Sequence, residues 1–314
     1  MPIETPPTLS APSPPPTVRS MGPQDVPTAI VLMLVAITLF SGLDAAAKYL
    51  AGPIGLPVTQ IIWLRFLIQF LLLLLLVPAF GILSTRELFT TTRPGWQALR
   101  SVLMALTTAM NFLALKWLRL DQTIAITFLA PLIVALLAGP LLGEWVGWRR
   151  FAAIIVGFLG ILIVVRPGVG DIHPAVVFSF AGVLAYALFT LVTRHIAASD
   201  PPLVTLFFSM FAGVIIGAPF ALVDWQWPAT AFEWALLMSL GVLGGIGHYL
   251  FILAYRMAPA GVITPYIYLQ ILTMTALGFL VFGDLPDLWT VLGSSIVVAS
   301  GIYLWHRERM LNGR

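Results

Sequence analysis

Polar residues in this chain are confined to short breaks between long apolar runs. Residues 128–165 hold two runs, FLAPLIVALLAGPLLG and FAAIIVGFLGILIVV, separated by a charged corner from Glu144 to Arg150. At 1.5 Å per residue, about 20 residues cross the ~30 Å of a bilayer's hydrocarbon core. The pattern therefore predicts a transmembrane helical hairpin. Moved 140 positions along, Gly283-Asp284 falls on Gly143-Glu144, again between apolar runs at 263–282 and 288–305.

Read in this way, the whole chain predicts ten apolar segments: 28–49, 58–77, 96–115, 123–142, 151–165, 174–192, 203–222, 232–255, 263–282 and 288–305. Five spans is an odd number, so a duplicated half inserts upside down relative to the first. The expected fold is an all-α polytopic membrane protein, with ten transmembrane helices arranged as two inverted five-helix repeats around a central cavity. The repeats are 28–166 and 174–305. At the same offset Lys116 meets Arg256, Glu144 meets Asp284 and Arg166 meets His306. Residues 1–27 hold nine prolines and no apolar periodicity, so a disordered tail without a removable signal is expected. Residues 306–314 read as a short basic tail.

Composition agrees with the pattern. The chain is 60% hydrophobic and 9% charged, against about 25% charged residues in soluble domains. A net charge of only +3 points to asymmetric loops and away from nucleic acid. Cytoplasmic loops retain Lys and Arg. With the N terminus inside, the inner loops and tails hold Arg19, Arg86, Arg93, Arg100, Arg149, Arg150, Arg194, Arg256, Arg307, Arg309 and Arg314, and the outer loops hold Lys116, Arg119 and Arg166. Both termini are thus expected in the cytoplasm of a cell with the chain in its inner membrane. The absence of cysteine excludes disulfides and thiolate metal sites. Without an HExxH helix, clustered carboxylates or a GxxxxGK[ST] loop, neither a metal, a cofactor nor direct use of ATP is expected. No nucleophile and base share a predicted face, so the chain reads as a non-enzyme.

Several motifs carry a family resemblance. ALKWL at 114–118, FLAPLIVALLAGPLLGE at 128–144, AYRMAPAG at 254–261 and LGFLVFGD at 277–284 resemble the paired motifs of the drug/metabolite transporter superfamily, in its ten-helix, EamA-repeat branch. Within that branch the chain is most similar to bacterial exporters of aromatic and other neutral amino acids of the YddG type. The resemblance implies a cavity between the halves worked by alternating access. Asp284 and Ile271 replace the Glu and Pro usual in the second half.

Polar groups inside the bilayer mark the candidate site, because a charge there costs about 2.5–3.5 kcal/mol on insertion scales. Asp44 and Lys48, spaced i, i+4, share a face and can neutralise one another. Alternatively, Asp44 is drawn to Arg65 on the next helix or to a solute's amino group. Arg65 can pair bidentately with a carboxylate, either Asp44's or a ligand's. Tyr266, Gln270 and Thr273 form one helical stripe that suits a cavity wall or an interhelical hydrogen bond. His248 follows a glycine-rich stretch and is the foremost protonatable pore group. Asn111, with Thr107 and Thr108 on its face, is the related polar spot in the first half. Trp63 is the one tryptophan placed well inside a segment, and Pro131 and Pro140 are expected hinges of the fourth helix. The expected function is a secondary transporter that exports small neutral, especially aromatic, amino acids. The other reading is an exporter of lipophilic cations or another metabolite; proton coupling through Asp44 or His248 and simple facilitated diffusion down an outward gradient are both open. The partners expected are a small-molecule solute and the lipid bilayer, with the chain acting as a monomer.

Overall fold

A computed structural model describes residues 25–166, 173–284 and 287–312. Residues 1–24 of the expected tail lie outside the described residues. The elements are α1 (Asp25–Ala51), α2 (Val58–Ala79), α3 (Thr85–Leu88), α4 (Pro94–Leu115), α5 (Leu120–Thr127), α6 (Ala130–Leu142), α7 (Trp148–Val165), α8 (Val176–Ile196), α9 (Pro202–Ser209), α10 (Phe211–Val223), α11 (Ala231–Met257), α12 (Ala260–Ile263), a 3-10 helix (Thr264–Leu269), α13 (Gln270–Phe282) and α14 (Leu288–Asn312). No strand occurs among the described residues. Seven helical stretches there are long and apolar enough to cross a membrane: Val26–Ala51, Val58–Ala79, Pro94–Leu115, Val176–Ile196, Pro202–Val223, Ala231–Met257 and Ala260–Phe282. The protein is an all-helical, polytopic membrane protein.

Three expected segments are not continuous α-helices. The stretch at 123–142 breaks at Phe128-Leu129, where the Leu129 amide bonds the Ile126 carbonyl at 3.0 Å. Pro131, in the first turn of α6, has no amide to give the Thr127 carbonyl, so the backbone tightens one turn earlier. Pro140, the other expected hinge, lies within α6 and does not end it. The stretch at 203–222 breaks at Met210. The ninth segment begins as α12, tightens into the 3-10 helix at Thr264-Pro265 and returns to α-helix only at Gln270. The last helix runs on to Asn312, into the stretch expected as a tail.

The two acidic corners share one hydrogen-bond pattern. Gly143 and Gly283 each end a helix in the left-handed region, at φ 72° and 70°. The amides of Glu144 and Asp284 then reach back to Ala138 O at 3.2 Å and Gly278 O at 3.1 Å. Both corners are the glycine-terminated turn in which the amide two residues past the cap satisfies an orphan helix carbonyl.

Packing sets α11 against both α1 and α2. A Cβ at Gly241 would stand 2.4 Å from Ile68 of α2, and one at Gly247 would stand 2.6 Å from the Phe40 ring of α1. Those glycines let helix backbones approach where the hydrophobic effect contributes little. Bonds between distant loops gather at two ends of the bundle. At one end Asp200 accepts from the Thr92 amide at 3.0 Å and from Gln97 Nε2 at 2.8 Å. At the other, Lys48 donates to Leu118 O at 2.8 Å, and Gln60 Nε2 donates to Gln226 O at 2.7 Å.

Candidate functional site

Between α1, α2, α4, α5, α8, α11 and the ninth segment lies a cavity of about 110 Å³. Its charged groups come from helices adjacent in sequence. Asp44, on the last third of α1, is 8% exposed, and its Oδ1 accepts from Asn111 Nδ2 of α4 at 2.9 Å. Arg65, in the second turn of α2, is 3% exposed. Its Nη1 donates to Thr108 Oγ1 at 2.6 Å, and its Nη2 lies 3.0 Å from His248 Nε2. A guanidinium has only donors, so the imidazole accepts through Nε2 and carries its proton on Nδ1. Neither Arg65 Nε nor His248 Nδ1 has a hydrogen-bond partner among the described residues.

Asp44 and Arg65 thus face one cavity with opposite charges, each held by a neutral group. Among the described residues no ion pair joins Asp44 to Arg65 or to Lys48. Lys48 turns away instead, to the carbonyls of Leu115 and Leu118. It sits one turn nearer the end of α1, where its long stem reaches the turn that follows α4.

Five expected residues meet around the cavity: Asp44, Arg65, Asn111, His248 and Gln270. Four do not. Trp63 points away from the cavity, packs edge-on against Trp225 with ring centroids 6.1 Å apart, and donates its indole N–H to Val214 O at 3.0 Å. The stripe of Tyr266, Gln270 and Thr273 assumed an unbroken α-helix, whereas the 3-10 turn puts Tyr266 on another bearing. Only Gln270 of the three lines the cavity. Tyr266 is buried in the core, and the Thr273 hydroxyl lies 2.6 Å from that of Ser41, joining α13 to α1. Lys48 is the fourth. Of the expected hinges, Pro131 adjoins the break between α5 and α6 and Pro140 does not.

Sequence reasoning missed the aromatic and hydroxyl wall formed by Phe40, Thr123, Ser179, Tyr186 and Phe189. These residues sit in otherwise apolar segments, where nothing but three-dimensional facing separates a wall from a lipid contact. Arg100 was assigned to an inner loop. It is instead fully buried in the second turn of α4, where α8 and α9 cover it.

Each acidic corner bonds to the opposite half of the chain. Glu144 Oε1 accepts from Arg194 Nε at 2.6 Å, and Oε2 accepts from the Ala260 amide at 2.9 Å. Arg194 Nη1 also donates to Tyr255 O at 3.0 Å. At the other end, Asp284 lies 3.9 Å from Arg119 Nε, and the Arg166 guanidinium meets Asp287. Both members of the Glu144–Arg194 pair are 20% exposed, against 28% for Asp284 and 44% for Arg119. The first is a compact, charge-assisted network, and the second is a loose surface pair of small worth. No group of three or more His, Asp or Glu gathers among the described residues to hold a metal.

The chain is similar along most of its length to several named transporters. It is 26% identical to the S-adenosylmethionine uptake transporter of Rickettsia bellii, over 88% of this chain and 92% of that protein. It is 27% identical to the riboflavin transporter of Vibrio cholerae, over 88% and 92%. It is 24% identical to the pseudopaline exporter of Pseudomonas aeruginosa, over 88% and 95%. A solved crystal structure has the same fold, with a TM-score of 0.72 at 20% identity, covering 91% of this chain and 99% of that one. The family description matches twice, over residues 27–166 and 173–305, and the chain belongs to the EamA-like transporter family.

Proposed function

We propose that this transporter carries small metabolites with an amino-acid head, an ammonium and a carboxylate on one carbon, attached to an apolar or aromatic body. The observation that carries the reading is the pair Asp44 and Arg65. The two face one cavity with opposite charge, do not pair with each other, and are each held by neutral groups that a solute can displace or join. An ammonium suits Asp44 and Asn111, and a carboxylate suits the fork of Arg65 beside Thr108. Gln270 adds donors and an acceptor without charge, and Phe40, Tyr186 and Phe189 provide an aromatic wall for the body. Arg65 disfavours a solute whose only charge is positive, which argues against a simple lipophilic-cation carrier.

In the proposed architecture the chain crosses the membrane ten times as two inverted halves, 28–166 and 174–305, with both ends in the cytoplasm. The double family match and the shared geometry of the two acidic corners support this reading. The cavity of about 110 Å³ is well below the ~300–1,000 Å³ of ordinary ligand sites, so the solute enters as the halves separate. Glu144 with Arg194 forms the closed gate, on the cytoplasmic side, and Asp284 with Arg119 forms the weaker one. Exchange of which gate is shut gives alternating access, and the solute gradient sets the direction.

Counterflow into liposomes tests the reading, with labelled L-phenylalanine, S-adenosylmethionine and riboflavin as solutes. Exchange of the first two, each inhibited by the other, is expected. Exchange of riboflavin alone, which has neither ammonium nor carboxylate, contradicts it.

A further inference from the structure

Arg100 lies outside the cavity and makes no ion pair among the described residues. It is completely buried, with Nε donating to Thr193 Oγ1 at 2.8 Å and Nη1 to Thr205 O at 3.2 Å and to the Ser209 hydroxyl. Every one of those acceptors is neutral. Its Nη2 has no hydrogen-bond partner among the described residues. Buried charges are normally matched by counter-charges, and an orphaned buried donor calls for an explanation. Inside a membrane protein such a group marks a path for an oppositely charged species.

One ring separates this guanidinium from the cavity. Arg100 Cζ stands 4.5 Å from the centroid of Phe189, a residue of the cavity wall. Phe189 in turn meets the His248 ring edge-on at 6.0 Å, and His248 holds Arg65. Arg65, His248, Phe189 and Arg100 therefore form a continuous line. It leads from the cavity to the end of the bundle where Asp200 binds Gln97, one turn before Arg100 on α4.

We propose that Arg100 is a second anion-binding station, which takes the carboxylate of the solute as it leaves Arg65, with the Phe189 ring as the shutter between the two. The proposal rests on the reading that the cavity carries the solute. A cation–π contact is a weak, replaceable hold on a guanidinium, and a carboxylate offers it two charge-assisted bonds. Displacing the ring from Arg100 is thus compensated when a carboxylate arrives.

The test uses the purified full chain in detergent, with Tm followed against rising 3-phenylpropionate or its uncharged amide, 3-phenylpropionamide. Phe189→Ala uncovers Arg100 and is expected to tighten the apparent carboxylate affinity at least fivefold while leaving the amide unchanged. The gain is expected to persist in F189A/R65Q, to vanish in F189A/R100Q, and to survive in F189A/S209A, which removes only a structural partner of the arginine. No gain in F189A overturns the proposal, as does a gain that persists without Arg100. Where the R100Q background does not fold, F189A alone and with R65Q decides the matter. Phenylalanine counterflow by the unaltered protein is measured in parallel. Its absence, with the fivefold gain present, removes the transport reading and leaves the anion station standing.

Discussion

Asp44 and Arg65 are buried within membrane-length helices, where a charge is costly, and their opposite signs across one cavity make different predictions for each. Losing a charge-assisted hydrogen bond costs about 1.5–3 kcal/mol, or roughly 10- to 100-fold in affinity. Arg65→Gln is therefore expected to weaken L-phenylalanine by that factor in counterflow and to spare phenylalaninamide. Asp44→Asn is expected to weaken both, because both keep the ammonium. Asp200 works on stability instead. Burial pushes its carboxyl up, but bonds from Thr91, the Thr92 amide and hydroxyl, and Gln97 outweigh burial and hold it below the usual carboxylate range. A depressed folded value means the stabilisation is complete above the unfolded pKa of about 3.9 and is lost as pH falls through the folded one. Asp200→Ala should cost about 1–3 kcal/mol at pH 7, read from thermal unfolding, and should flatten the fall in Tm between pH 5 and pH 3. At this scale the sequence is legible where a polar group lies deep in an apolar run, as with Asn111, His248 and Gln270. It misleads near segment ends. Arg100 is only six positions beyond Pro94 and reads as an interfacial charge, yet the packing of α8 and α9 over that turn buries it.

Helix boundaries were legible because apolar runs must match the bilayer and because glycine followed by an acid ends a helix in each half. Of the internal breaks, the one at Phe128-Leu129 was signalled by Pro131, but Met210 carries no signal of its own, and the 3-10 stretch at Thr264-Pro265 looks in the sequence like the ordinary first turn of a helix. That one misreading cost Tyr266 its place in the cavity, whereas Thr273, one regular α-helical turn after Gln270, is taken up by the Ser41 hydroxyl of α1. Close packing of α11 offers a sharper test at this level. Gly247→Val must move the Phe40 ring, which already touches His248 at a centroid distance of 4.5 Å. Overpacking of this kind costs about 1–3 kcal/mol, so a Tm several degrees lower is expected. Gly245→Ala meets nothing closer than 3.6 Å and should leave Tm nearly unchanged.

For the molecule as a whole, the family description matches the chain twice, and the two acidic corners share one turn geometry. Glu144 and Asp284 end equivalent helices, and each reaches into the other half of the chain, tightly at one end and loosely at the other. In the proposed alternating access, which end is shut depends on side-chain bonds between distant segments, which no local pattern records. Glu144→Gln weakens the tight end and is expected to shift the population toward the state open to the cytoplasm. The natural chain has no cysteine, so Gln270→Cys supplies a single reactive group on the cavity wall. The decisive measurement is modification of that thiol by a membrane-impermeant methanethiosulfonate, applied to one side of sealed vesicles at a time. Reaction from either side, protection by a transported solute, and a faster cytoplasmic rate when Glu144→Gln is added are expected. Reaction from one side only, unchanged by Glu144→Gln, or no reaction from either side, would contradict alternating access.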